Sequence, residues 1–176
     1  MKNYPYKIYC DMDGVLCNFE KGVVEAINRE LASQNPKNPE LAAAIIEDLG
    51  RNYITVNDIQ KFSPGKSSAA TKYMYYLVHD DVDFWADLEW QPGGKQLWSY
   101  IRQFDPDILT SPMDKKGQNE SLEGKAIWVE KNLGLDANKI NFALKFFCIN
   151  ESSICVPIVL GSIAIETPVP KTPVEE

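Results

Sequence analysis

A short run of aromatic and β-branched residues, Tyr6 to Cys10 (YKIYC), leads without a break into Asp11-Met12-Asp13-Gly14. Pro5 bounds the run on one side and an acidic turn bounds it on the other, so it reads as a buried strand ending in a polar loop. Two carboxylates two residues apart at a strand's end both sit near the carboxyl edge of a sheet. Further elements succeed it along the chain. Phe19 to Leu31 carries Phe19, Val23, Val24, Ile27 and Leu31 at helical spacing. A loop at Asn35 to Pro39 precedes a second helix over Glu40 to Leu49, stopped by Gly50. Asn57 to Phe62 reads as a short helix and Ser67 to His79 as a further helical segment. Val82 to Trp90 is dense in aromatics and ends before Pro92-Gly93-Gly94. Beyond it come a helix over Gly94 to Gln103, a strand over Asp107 to Thr110 and a helix over Ser121 to Leu133. Strand-like stretches lie at Lys139 to Phe147 and Val156 to Ile165.

That alternation predicts an α/β domain with a parallel sheet. Residues 1–21 and 80–166 would form the core, and the helical segment 22–79 a cap inserted after the first strand, over the sheet's carboxyl edge, where such folds bind ligands. The tail from Thr167 to Glu176, with three prolines, is expected to be disordered. The length of 176 residues suits one domain with a modest insertion.

Charge narrows the partners. The formal net charge is −7 and no Lys/Arg run stands out, so the basic footprint that grips a nucleic-acid polymer is missing. A small phosphorylated molecule is compatible with an acidic chain, because one local site can be positive. Cys10, Cys17, Cys148 and Cys155 form no CxxC pair, and His79 is the single histidine, which argues against a zinc cluster. The cysteines read as reduced thiols of a cytoplasmic protein. The start, Met1 to Pro5, has no apolar core of a signal peptide. Ile154 to Ile165 is too short for a bilayer and is interrupted by Pro157 and Gly161, so no membrane partner is expected. A homodimer stays open.

The chemistry sits in Asp11-Met12-Asp13-Gly14-Val15. Gly14 lets the backbone turn sharply and bring amide N–H groups toward an anion. The first carboxylate, Asp11, can attack phosphorus to give an aspartyl-phosphate. The second, Asp13, can protonate the leaving oxygen and later deprotonate water. A Mg²⁺ ion would be needed to hold an acidic nucleophile beside an anionic phosphate. A calcium loop of EF-hand type fits less well: a strand precedes the motif, the glycine is fourth, and position twelve is Gly22. A plain surface turn is the simplest alternative. Two weaker features join it. The strand Ile108-Leu109-Thr110 ends in Ser111-Pro112, offering hydroxyls and backbone N–H to phosphate oxygens. Lys125, near the start of a helix, can aim its ammonium at a phosphate.

In order and spacing these pieces resemble the haloacid dehalogenase superfamily, and within it the 5′(3′)-deoxyribonucleotidase branch. The run Asp11 to Gly22 (DMDGVLCNFEKG) resembles the first motif of that branch, and Phe84 to Gly93 its stretch before the second motif. Leu109 to Pro112 (LTSP) resembles the second motif and Gly124 to Gly134 (GKAIWVEKNLG) the lysine-bearing helix. The resemblance covers roughly residues 6–145. It implies a Rossmann-like three-layer sandwich with a central parallel sheet and a small helical cap. It implies Asp11 as nucleophile and Asp13 as general acid and base, with Gly14, Thr110, Ser111 and Lys125 around the phosphate. Mg²⁺ would take the Asp11 carboxylate and the Asp13 carbonyl, and Phe19, Phe84 and Trp85 would line a nucleobase pocket. The implied activity is hydrolysis of a nucleoside monophosphate. A phosphatase of another metabolite, or a descendant that binds phosphate without turnover, are the alternatives.

One departure stands out. The superfamily supplies a further acidic motif on a later strand to complete the metal site, whereas after Lys145 this chain holds no aspartate, and Glu151 and Glu166 are the carboxylates before Glu175-Glu176. Either Glu151 substitutes, or the metal site is crippled, or the C-terminal segment is altered relative to relatives, as a shifted reading frame would do. Lys145 is a second candidate phosphate lysine.

Overall fold

A strand that is buried at every other residue opens the chain in the computed structural model, which describes residues 7–60, 68–113, 120–142 and 163–166. This is β1 (Lys7–Asp11), with Ile8 and Cys10 buried. Its parallel neighbour is β2 (Asp107–Thr110), and beyond that lies β3 (Ile140–Phe142), also parallel. The register pairs Asp11 with Leu109, so Thr110 lies one residue past the point where β1 ends. Two strand tips separated by almost a hundred residues of sequence thus share one edge. The predicted strand over Lys139 to Phe147 is confined to Ile140–Phe142 within the described residues, and 143–147 lie outside them.

The expected α/β fold with a parallel sheet holds for β1, β2 and β3, and the fourth strand departs from it. The order is β3-β2-β1-β4, and β4 (Ile163–Glu166) runs antiparallel to β1, pairing Cys10 with Ile163 and Lys7 with Glu166. The alternation of apolar residues that marks a strand is the same read in either direction, so the sequence could not reveal this. The tail over 167–176 lies outside the described residues, as do Lys145, Glu151, Cys148 and Cys155.

Seven α-helices are formed among the described residues. α1 (Phe19–Leu31) starts where the Asn18 side chain accepts the Lys21 N–H at 3.2 Å. α2 (Pro39–Leu49) has Asn38 as its cap, a proline in its first turn and Gly50 in the left-handed conformation after it. α3 (Val56–Gln60) and α4 (Ala69–Val78), the latter capped by Ser68, complete a helical group in which α1 packs on α3 and α4, and α2 on α4. α5 (Val82–Ala86) was hidden in the sequence by its aromatic density, although Asp81 caps it by accepting the Phe84 N–H at 2.9 Å. α6 (Gly94–Ile101) and α7 (Glu120–Leu133) come next. One buried cluster, including Cys10, Met12, Val23, Tyr73, Trp85, Ile108 and Trp128, runs from the sheet into the helical group without interruption.

The packing of α5 against α7 positions the candidate site. Gly124 allows it: a Cβ there would lie 2.4 Å from the Val82 carbonyl oxygen and 2.5 Å from the Trp85 Cβ. The indole N–H of buried Trp128 donates to the Leu88 carbonyl at 2.7 Å and locks the same face. Gly124→Ala is therefore expected to destabilise the fold by about 2 kcal/mol net, overpacking outweighing the gain in helix propensity. A lower urea midpoint with unchanged slope would verify it; an unchanged or raised midpoint would contradict the close approach.

Candidate active site

The turn after β1 is built from its own backbone. The N–H groups of Val15, Leu16 and Cys17 all point to the Met12 carbonyl oxygen, at 3.3, 2.9 and 3.0 Å, and Gly14 N–H donates to the Cys17 carbonyl at 2.9 Å. Gly14 takes φ +75°, a left-handed conformation in which a side chain would be strained. The turn is braced from outside as well: Asn18 N–H donates to the Glu89 carbonyl and Gln91 N–H to the Leu16 carbonyl, each at 2.8 Å. Such bracing holds a loop in one geometry, as a reacting centre requires.

Asp11 and Asp13 extend from this turn into different surroundings. One carboxylate oxygen of Asp11 accepts the Met12 N–H at 2.7 Å. Burial, and then the neighbouring charge of Asp13, raise the Asp11 pKa above the usual carboxylate value, while the Met12 amide and Lys125 pull it down more weakly. Asp13 is held at both oxygens. Its Oδ2 accepts from the Lys125 ammonium at 2.6 Å and from the Thr110 hydroxyl at 3.4 Å, and its Oδ1 faces the Cys17 thiol at 3.6 Å.

Lys125 joins the pieces. It reaches from α7 to the strand tips, is 1% exposed, and gives hydrogen bonds to Asp13 Oδ2 at 2.6 Å, Thr110 Oγ1 at 3.0 Å and the Ser111 carbonyl at 2.6 Å. An ammonium has three N–H donors, and these three acceptors use them. A buried lysine of this kind needs a paired anion, and Asp13 provides one. Ser111 is exposed and adjoins buried Thr110 at the same edge. Thus Asp11, Asp13, Gly14, Thr110, Ser111 and Lys125, taken from three separate stretches of sequence, meet at the carboxyl ends of β1 and β2.

The three aromatic residues form a group of their own. Phe19 stacks on Trp85 with centroids 5.3 Å apart and planes 9° from parallel, and Phe84 meets Trp85 edge-on at 5.2 Å. Phe19 is half-buried and Phe84 is exposed only in part, but Trp85 is 1% exposed and donates its indole N–H to the Val78 carbonyl at 2.7 Å. Buried to that degree, the Trp85 ring has no open face on which a base could stack. A cavity of about 330 Å³ lies beside Gly22, Phe84 and Leu88, with Asp81, Asp83 and Asp87 on its wall. Its lining includes none of Asp11, Asp13, Thr110 or Lys125, and it mixes those carboxylates with the basic side chains of Lys21, Arg29 and Lys37.

Sequence reasoning missed two neighbours of the site. One is Cys17, whose thiol lies against Asp13 and is pushed up in pKa, first by burial and then by the Asp13 charge. The other is the contact of Lys125 with the Trp85 ring, at 4.5 Å from Nζ to the centroid. No local signal in the sequence marks either one.

The donors present fit Mg²⁺ in a limited way. Among the described residues no group of three or more His, Cys, Asp or Glu side chains could hold a metal. Mg²⁺ is commonly held by one or two carboxylates, with waters and substrate phosphate completing its octahedron, and the Asp11 carboxylate with the Asp13 carbonyl could serve so. β4 sets Glu166 opposite Lys7, at the far end of β1 from Asp11, roughly 13 Å along the strand. Among the described residues no helix is long and apolar enough to cross a membrane. No protein-family model matches the chain and no curated protein sequence matches it, so what bears on its chemistry is the set of residues gathered at the tips of β1 and β2.

Proposed function

We propose that this chain is a Mg²⁺-dependent phosphomonoester hydrolase of haloacid dehalogenase type that acts on (deoxy)ribonucleoside monophosphates. The observation that carries the reading is the buried Lys125 ammonium shared between Asp13, Thr110 and Ser111 at the tips of β1 and β2. A cation with that setting beside a second, adjacent carboxylate suits a doubly charged phosphate and an attacking oxygen.

In this reading an Asp11 oxygen bonds to phosphorus as the bond from phosphorus to the sugar oxygen breaks, and Asp13 gives that oxygen a proton. Water then attacks the aspartyl-phosphate, Asp13 takes its proton, and phosphate leaves with Asp11 restored. An arriving phosphate competes with Asp13 for the N–H groups of Lys125. As the ammonium turns to phosphate, Asp13 Oδ2 is released to take up a proton from water, the proton that it then gives to the leaving oxygen. The Thr110 hydroxyl and the backbone after it add donors. Bound beside Asp11, Mg²⁺ would offset the repulsion between carboxylate and phosphate. The partly exposed rings of Phe19 and Phe84 are the surfaces left for a base.

A second reading is favoured by the few metal donors among the described residues: a protein that binds phosphate or nucleotide without turning it over. One experiment separates the readings. Phosphate release is measured over a panel of nucleoside and sugar monophosphates with Mg²⁺ and with chelator, alongside calorimetric Mg²⁺ titration with and without inorganic phosphate. The expected result is Mg²⁺-dependent release with nucleotide preference, and metal binding that is weak alone but strengthened by phosphate. Turnover without nucleotide preference, and indifference to Phe19→Ala, would point to another metabolite phosphate. Nucleotide binding with neither turnover nor metal would leave only the non-catalytic reading.

A further inference from the structure

A lysine that must hand a hydrogen bond from a carboxylate to a phosphate needs something to keep its nitrogen in place during the exchange. Its three oxygen partners cannot do this alone, since at least one of them is given up. A further contact of Lys125 is the Trp85 ring, with Nζ 4.5 Å from the centroid, well inside the range of an attractive ammonium–indole contact. That attraction acts between charge and ring face and does not depend on which oxygen each N–H faces. Both partners are 1% exposed, so water does not dilute it.

Trp85 is itself fixed from several sides. Its indole N–H is tied to the Val78 carbonyl at 2.7 Å, and Phe19, the first residue of α1, stacks on it at 5.3 Å. Gly124, the neighbour of Lys125, lets α7 approach Trp85 Cβ closely. A tryptophan held this firmly serves poorly as an adaptable wall for a base and well as a fixed support.

We propose that Trp85 is a positioning residue for Lys125: its ring face holds the ammonium at the β1–β2 edge while its hydrogen bonds pass from Asp13 to the substrate phosphate. This rests on the proposed phosphate site and reassigns Trp85 from base contact to lysine support. Through the Phe19 stack it also links the first helix after the acidic turn to the phosphate cation.

The test uses the full chain and inorganic phosphate, with affinity measured by calorimetry in Mg²⁺. Fluorinated tryptophans placed at position 85 alone keep the shape of the ring while draining charge from its face. Phosphate affinity is expected to fall stepwise with fluorination, to about fivefold or more for the most fluorinated ring. Trp85→Leu should weaken binding at least as much, while Trp85→Phe keeps a face and most of the affinity. In a Lys125→Met background, Trp85→Leu should cause no further loss. A flat fluorination series would overturn the proposal, as would an equal loss from Trp85→Leu with and without Lys125. If the unmodified chain binds no phosphate, the phosphate site itself fails; if it binds through Lys125 with indifference to the ring, only the role of Trp85 fails.

Discussion

Asp11→Asn is expected to reduce Mg²⁺-dependent phosphate release by roughly 10³-fold or more, because an amide oxygen cannot form the aspartyl-phosphate. The same variant should be more stable than the parent. The Asp11 pKa is raised in the folded protein, by burial first and by the Asp13 charge second. A carboxyl whose folded pKa exceeds its unfolded value is at no disadvantage in acid, when it is protonated in both states. As pH rises through the folded value its ionised form costs stability, and at pH 7 the full cost is present. Asparagine avoids it. With chelator present, so that no cation offsets the charge, the variant's thermal midpoint at pH 7 should be higher than the parent's. The gap should close as pH falls below the carboxylate range. Retained turnover would remove Asp11 as nucleophile, and a lower midpoint at pH 7 would contradict its placement beside Asp13.

Lys125→Met should lower turnover by about 10²–10³-fold, the usual loss when a preorganised donor to developing charge is removed. Methionine keeps the volume, so the loss reports the ammonium itself. Inorganic phosphate should bind far more weakly, and the variant should also be less stable. Asp13 loses the partner at 2.6 Å and Thr110 one at 3.0 Å, which together are worth about 2 kcal/mol. The cost stays below that of breaking a fully buried ion pair, because the Asp13 side chain is 29% exposed and water can reach it. Urea unfolding and phosphate calorimetry on the same samples measure both effects. Lys125→Arg is not a rescue, since a planar guanidinium cannot sit among the same three oxygens. Unchanged phosphate affinity in Lys125→Met would place the phosphate elsewhere.

Much of the architecture could be read locally. β1, β2, α1, α2 and α7 were legible because each announces itself within a few residues: an apolar run before an acidic turn, helical spacing, a stop at Gly50. The site was legible in its parts, since Asp11, Asp13, Thr110 and Lys125 belong to short patterns. α5 was not, because the aromatic and apolar residues of Val82 to Trp90 are too closely set to show a period. Its cap, Asp81, was the available signal.

The amino-acid order by itself determined that two carboxylates stand at the tip of a strand, with Gly14 to turn the chain beneath them, because those relations span four residues and depend on backbone geometry alone. Only the tertiary structure decided that Trp85 lies under the Lys125 ammonium and that β4 runs against β1 and carries Glu166 away from the site. Packing between distant helices and the direction of strand pairing leave no trace in local sequence. They arise from how α5 and α7 fit together across Gly124 and from which edge of the sheet the last strand joins.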